Sequence, residues 1–242
     1  MTGWHEGPLL SLDFETAGVD PTSTFAVSVA LCRRLPGEGM VSHQWLLQPP
    51  AGEVIPDGAA RIHGITTERA VTDGQPAASA LAQVRDAVID WLADGRPVVA
   101  FNAAYDCTLL EHELARHGLP TITATLGAFA PVIDPFVLDK HLSRRKGSRK
   151  LEDQCRHYDV ALDGAHDAGH DAIAAARVAW RIGQRYPAIA AMPLHELHEA
   201  QVDWRREQCD SLRAYFDRTG KEHDGVDGSW PVRVTEALQV AA

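Results

Sequence analysis

Two carboxylates one residue apart, Asp13 and Glu15, close the apolar run in LLSLDFETAG, residues 9–18. In an extended strand, residues i and i+2 face the same side. Both acids therefore project from one surface, at a separation where like charges repel. Water at a strand end relieves that repulsion, or cations do. Two further acids have comparable settings. Asp106 follows the apolar run VVAFN and falls in the opening turn of a helix. Asp171 lies early in an alanine-rich helix, five residues after His166. Taken singly, each has an ordinary structural explanation, because an acid after a strand caps a helix and an acid in a first turn complements the helix dipole. Taken together they indicate chemistry. In open α/β sheets the functional crevice lies near strand ends and helix starts, so Asp13, Glu15, Asp106 and Asp171 are expected to converge there. Four carboxylates in one cleft require counter-charge. Hard, oxygen-seeking Mg²⁺ or Mn²⁺ suits them, whereas zinc would prefer His and Cys.

The elements that must position these acids can be read from hydrophobic pattern. Residues 8–14, 25–33 and 41–48 read as three strands, the second and third joined through the turn signal PGEG at 36–39. Leu81, Val84, Val88 and Leu92 fall at helical spacing within 77–93. GRPVVAFN then reads as a buried strand, and AAYDCTLLEHELARHG as a helix closing on Gly118. A short strand at 131–133, helices near 136–142 and 150–158, and a helix over 169–186 follow. Strands first in a meander, then alternating with helices, predict an α/β domain with a mixed sheet. The character changes at Pro187. Leu194, Leu197, Gln201, Trp204, Gln208, Leu212 and Tyr215 step along one helical stripe, expected to pack on the domain or on a second copy of the chain rather than to form a ligand site. The expected division is therefore 1–186 as the main domain and 187–242 as a helical C-terminal extension.

Bulk properties narrow the function classes. The 242 residues are enough for a sizeable core. A net charge of -10 argues against gripping nucleic acid by bulk positive charge. It leaves open an enzyme whose local field is set by metal and a small basic patch. One such patch is KHLSRRKGSRK at 140–150, with six Lys or Arg and no acid; it reads either as a solvated loop or as a contact for phosphates. Cys32, Cys107, Cys155 and Cys209 are widely spaced without a CxxC pair, which fits reduced thiols and a cytoplasmic location. No leader-like segment or membrane-length apolar run is visible, so no membrane partner is expected.

LDFETAG, FNAAYD and AHDAGHDA, in that order, resemble the three motifs of the DnaQ-like DEDDh 3′–5′ exonucleases, a family that includes the proofreading epsilon subunit of bacterial DNA polymerase III. RIHGIT at 61–66 resembles a family segment near the bound 3′ end, and the likeness runs from about residue 8 to 186. Ala17, Phe101 and Tyr105 depart from the family's usual residues without removing a ligand. The resemblance implies a ribonuclease H-like mixed sheet flanked by helices. It implies a metal-dependent exonuclease that releases nucleoside 5′-monophosphates from DNA 3′ ends, single-stranded ends favoured. Exoribonucleases of the oligoribonuclease or ribonuclease T kind use the same chemistry, and a non-catalytic binding module on this fold would usually have lost a ligand. By the same resemblance, Asp13, Glu15, Asp106 and Asp171 hold two divalent ions, Mg²⁺ or Mn²⁺, and His166 takes the proton of the attacking water. His166 is assigned over His170 because it stands five residues before Asp171. Phe14, Thr16, His63 and Asn102 are the candidate substrate contacts. Phe14 alternatively belongs to the core, and Asn102 alternatively makes a structural turn bond. No clamp-binding pattern follows Tyr186, so a stand-alone enzyme is expected rather than an obligate polymerase subunit; a homodimer through the tail is possible.

Overall fold

The computed structural model describes residues 3–162, 167–233, 235, 236 and 238. Its sheet is built from β1 (Leu9–Thr16), β2 (Ala26–Arg34), β3 (Met40–Leu46), β4 (Val98–Val99) and β5 (Val132–Ile133), in the spatial order β3-β2-β1-β4-β5. The β1–β2 and β2–β3 pairs are antiparallel, and β4 and β5 add in parallel. This is the mixed sheet expected from the order of elements. The run over residues 95–102 contributes less strand than its apolar pattern suggests, since only two of its residues join the ladder. Asn102, in the left-handed region at φ 61°, ends it by turning the chain into a helix; asparagine tolerates that conformation better than most residues.

The helices are α1 (Asp57–His63), α2 (Thr67–Asp73), α3 (Ala77–Ala93), α4 (Ala103–Arg116), α5 (Ile122–Leu126), α6 (Pro135–Leu142), α7 (Leu151–His157), α8 (Ala168–Arg185), α9 (Pro187–Ala190) and α10 (Leu194–Thr219). Leu10, Leu12 and Phe14 of β1 face a core shared with Leu81, Val84 and Val88 of α3 and with Leu109 and Leu110 of α4. Leu9, on the opposite face, packs with Ala174, Ala175 and Val178 of α8. Strand alternation thus places Asp13 and Glu15 on the side covered by α8. Small residues allow that helix to lie close to the sheet: Ala168 and Ala172 are fully buried against Ala30 and Cys32 of β2.

Short helices α1, α2 and α5 have no counterpart in the hydrophobic pattern. Helix α1 buries none of its residues, so periodicity carries no sign of it. The C-terminal stripe is one continuous helix, α10, and its two halves differ. Leu197 and Gln201 are fully buried, while Leu212 and Tyr215 are exposed. The first half covers the free edge of β5. His198 accepts from the Val132 N–H through Nδ1 at 3.1 Å, Gln201 accepts from the Asp134 N–H at 2.7 Å, and the Gln201 amide donates to the Val132 carbonyl at 3.0 Å. Side chains thereby satisfy the hydrogen-bonding groups that a sheet edge would otherwise expose. The later DGSWPVRV segment also docks on the domain: Trp230 is buried, and its indole N–H donates to Asp134 Oδ2 at 3.2 Å.

Candidate active site

Asp13 and Glu15 stand on β1 just before a register shift between Glu15 and Thr16, where the strand leaves its pairing with β2. Asp171 comes down from the first turn of α8. One carboxylate oxygen from each of Asp13, Glu15 and Asp171 lies within 4.8 Å of the others. Asp106, in the first turn of α4, borders the same place from the far side of Asp13. It is buried, and its Oδ1 accepts from the Phe14 N–H at 3.2 Å. The β1 strand is thus tied to α4 through one of its own acids. His166 lies outside the described residues.

The electrostatics are those of uncompensated acids. Burial pushes the Asp13 carboxyl well above its ordinary value, and the charges of Asp106, Asp171 and Glu15 push it further. Glu15 is raised to about 7, first by burial, then by Asp171 and Asp167. Asp106 is also raised well above the usual range, chiefly by burial, against the lowering effect of the Phe14 N–H. Among the described residues, no lysine or arginine forms a salt bridge with Asp13 or Glu15. Oxygen donors gathered this closely match the preferences of a hard divalent cation. The triad of Asp13, Glu15 and Asp171 could hold such an ion.

Two hollows flank the acids. On the Asp13 and Asp106 side, a cleft of about 470 Å³ is bordered by Phe14, Phe101, Asn102, Phe136, Arg149 and Lys150. Phe101 and Phe136 meet edge to face, with ring centroids 5.9 Å apart. On the Glu15 side, a hollow of about 190 Å³ is bordered by His63, Gln44, Arg69 and Asp167. The four candidate substrate contacts are all nearby but differ in availability. Phe14 is a core residue that shows only a margin to the cleft. The Thr16 hydroxyl is engaged, 2.8 Å from both the Gly18 carbonyl and the Tyr105 hydroxyl. His63 accepts from the Ile65 N–H at 3.2 Å through Nδ1, and burial lowers its pKa. The Asn102 side chain makes no cap for α4, and it is the backbone N–H that is held, by Asp134 Oδ1 at 2.9 Å.

Asp134 and Asp167 were not foreseen. The buried Asp134 carboxylate accepts from the N–H groups of Asn102, Ala103 and Phe136 and from Trp230, locking the start of α4 that carries Asp106. In sequence it reads only as a helix cap before Pro135, which it also is. Asp167 caps α8 by accepting from the N–H groups of Gly169 and His170. Phe136, Arg149 and Lys150 come from a segment that begins thirty residues beyond Asp106, and no local pattern connects them with it. The basic run is also less free than it reads. Arg145 and Arg149 both pair with the fully buried Asp139, one residue before the run begins.

Comparison with known proteins agrees with this geometry. Residues 10–179 match the model of the exonuclease family that bears the name of ribonuclease T, and the chain belongs to that family. PolC-type DNA polymerase III from Streptococcus pyogenes and from Streptococcus agalactiae is 25% identical over 174 residues, 72% of this chain but 11% of those polymerases. The chain thus spans about a tenth of the length of these curated relatives. Among solved structures, Escherichia coli exonuclease I in complex with a dT13 oligonucleotide superposes with a TM-score of 0.63 at 18% identity, covering 76% of this chain and 42% of that one. Exonuclease I from Methylocaldum szegediense gives 0.61 at 22% identity, covering 75% and 41%. The fold is ribonuclease H-like, with helices following the family domain.

Proposed function

We propose that the protein is a metal-dependent 3′–5′ exonuclease that shortens DNA, preferentially at single-stranded ends, and releases nucleoside 5′-monophosphates. The observation that carries this reading is the convergence of Asp13, Glu15 and Asp171 within 4.8 Å, beside an open aromatic and basic cleft. Asp13, Glu15 and Asp171, with Asp106 on the opposite flank of Asp13, would hold divalent ions, Mg²⁺ or Mn²⁺. Bound there, the cations would supply positive charge against the negative charge that develops at phosphorus. His166 takes a proton from the attacking water, whose oxygen bonds to phosphorus as the bond to the 3′-oxygen of the preceding nucleotide breaks. That 3′-oxygen acquires a proton and becomes the new end of the strand.

The terminal nucleotide occupies the cleft between Phe101, Phe136 and Asn102, with Lys150 directed to its phosphates and Arg149, held by Asp139, adding positive charge to the cleft wall. His63 and the Thr16 backbone close the opposite side. Base–aromatic stacking is tolerant of sequence, which suits an enzyme that must accept every base in turn. The oligonucleotide bound by the structurally similar Escherichia coli exonuclease I supports DNA as the polymer. The family domain spans 1–186 in this reading, and 187–242 is an extension that buttresses it.

The test uses 5′-labelled single-stranded DNA, duplex DNA and RNA of equal sequence, with Mg²⁺ or Mn²⁺. The expected result is a ladder shortening from the 3′ end, fastest on single-stranded DNA, abolished by a chelator and by Asp13→Ala. Hydrolysis that survives Asp13→Ala, or a ladder that shortens from the 5′ end, overturns the assignment.

A further inference from the structure

The exposed second half of α10 and the end of α6 enclose a third hollow of about 630 Å³, separate from the acids. Trp204, Gln208, Ser211, Tyr215 and Arg218 follow one another at steps of three and four along its α10 wall. At 1.5 Å per residue this stripe extends about 21 Å. Lys140 and Arg144 form the opposite wall. Among the described residues, Lys140, Arg144 and Arg218 form no salt bridge, and Glu207 is the only acid bordering the hollow. The result is a local positive field on a chain of net charge -10. Lys140 is half-buried, and its pKa is lowered by that burial and by Arg205 and Arg149 nearby. Cations gathered at such cost are relieved by an anion brought from outside.

The aromatic components are placed for contact rather than for core packing alone. Tyr215 is 45% exposed and Leu212 36%. His141 stacks on Trp204 at 3.9 Å with nearly parallel rings, an aromatic shelf at the hollow's border. One contact links a wall of this hollow to a wall of the cleft beside the acids. The Lys140 ammonium lies 5.3 Å from the centre of the Phe136 ring, and Phe136 borders that cleft one helical turn earlier on α6.

We propose that this groove binds the single nucleic-acid strand upstream of the end held at the acids, with Lys140, Arg144 and Arg218 on its phosphates and Tyr215 and the His141–Trp204 shelf against its bases. The extension then lengthens the binding site by several nucleotides beyond the family domain. The threading direction rests on the proposed exonuclease reading; the affinity of the groove does not. Unpaired cations interleaved with aromatics along a line match a strand with a charge at every step.

The test measures fluorescence anisotropy of 5′-labelled single-stranded oligonucleotides of 4 and 12 residues, as DNA and as RNA, on the full chain with a chelator present. The wild type should bind the 12-mer more tightly than the 4-mer. The double variant Arg144→Glu/Arg218→Glu should weaken the 12-mer about tenfold or more and lower its salt slope by about two, with the 4-mer as internal reference. Tyr215→Ala should weaken the 12-mer about fivefold or more. Equal 12-mer affinity in wild type and both variants overturns the groove, whatever the hydrolysis assay shows. So does an acidic peptide, or a second copy of the chain, whose association is lost in the double variant while the oligonucleotides bind unchanged. Length-dependent binding without hydrolysis would leave the groove standing and reject the catalytic reading instead.

Discussion

Asp139 and Asp13 are both acids of the same domain, and their surroundings are opposite. Asp139 is fully buried and surrounded by donors: Arg145, Arg149 and the Tyr158 hydroxyl at 2.9 Å. Those partners hold its carboxyl below the usual range despite burial. Asp13 has other acids as neighbours, and its carboxyl is driven well above that range. Asp134 stands between the two. Burial raises its pKa, yet three backbone N–H groups and an indole satisfy its oxygens. A carboxylate that holds structure together is supplied with partners by the fold itself, whereas the acids around Asp13 oppose its ionised form.

The contrast can be broken most directly at Asp13. On the proposed reading, Asp13→Asn removes an oxygen that would hold metal at the reacting centre and should cut hydrolysis of single-stranded DNA by at least about a thousandfold. The same variant should melt at the same or a higher temperature than wild type in chelator at pH 8, because it relieves like-charge repulsion. A large loss of melting temperature would mean that Asp13 is structural after all. Asp139→Ala should do the reverse. It leaves the half-buried Arg145 and Arg149 without their partner and opens the space of a fully buried side chain, and should cost about 3–5 kcal/mol in denaturant unfolding. A loss below about 1 kcal/mol would place Asp139 among the weak surface pairs.

Gln201→Ala tests whether the extension supports the domain by covering the β5 edge. Leaving the Asp134 N–H and the Val132 carbonyl unsatisfied should cost about 1–3 kcal/mol, read by the same unfolding curves. An unchanged midpoint would show that this coverage adds nothing.

The smallest effect is a dependence on pH. Glu15 has a folded pKa of about 7, above its ordinary value of 4.5, so its ionisation works against the folded state. Its contribution is fullest below pH 4.5 and is lost as pH climbs through about 7. With a chelator present, the melting temperature should therefore fall between pH 5 and pH 8. On the proposed reading, Mg²⁺ or Mn²⁺ binds the ionised form and should raise the melting temperature most at pH 8. An increment that is equal at both pH values would argue against ion binding by these acids.

Much of this arrangement was legible before the fold was known. The alternation of LLSLDFE assigns Asp13 and Glu15 to one side and Leu10, Leu12 and Phe14 to the other, and the structure follows it. The stripe in 77–93 predicts α3 to the residue. Helices α1 and α2 were invisible because short helices on the surface leave little apolar periodicity, and the two-residue β4 was overestimated because a buried turn is as apolar as a buried strand. The stripe after Pro187 reads as a face that packs on the domain or on a second copy of the chain. Its first half does pack on the sheet edge, but its second half faces solvent, since periodicity marks a helical face without saying what lies opposite it.

The sequence by itself determined which residues share a side of a strand or a turn of a helix, because those relations depend on backbone periods of 2.0 and 3.6 residues. It also supplied the types of acid, aromatic and cation available. Only the tertiary structure decided which acids would be partnered. It gave Asp139 two arginines from the basic run and left Asp13 facing Asp171 from a helix some 160 residues away. The reason is physical: charge interactions depend on distance and burial in three dimensions, and neither can be read from separation along the chain.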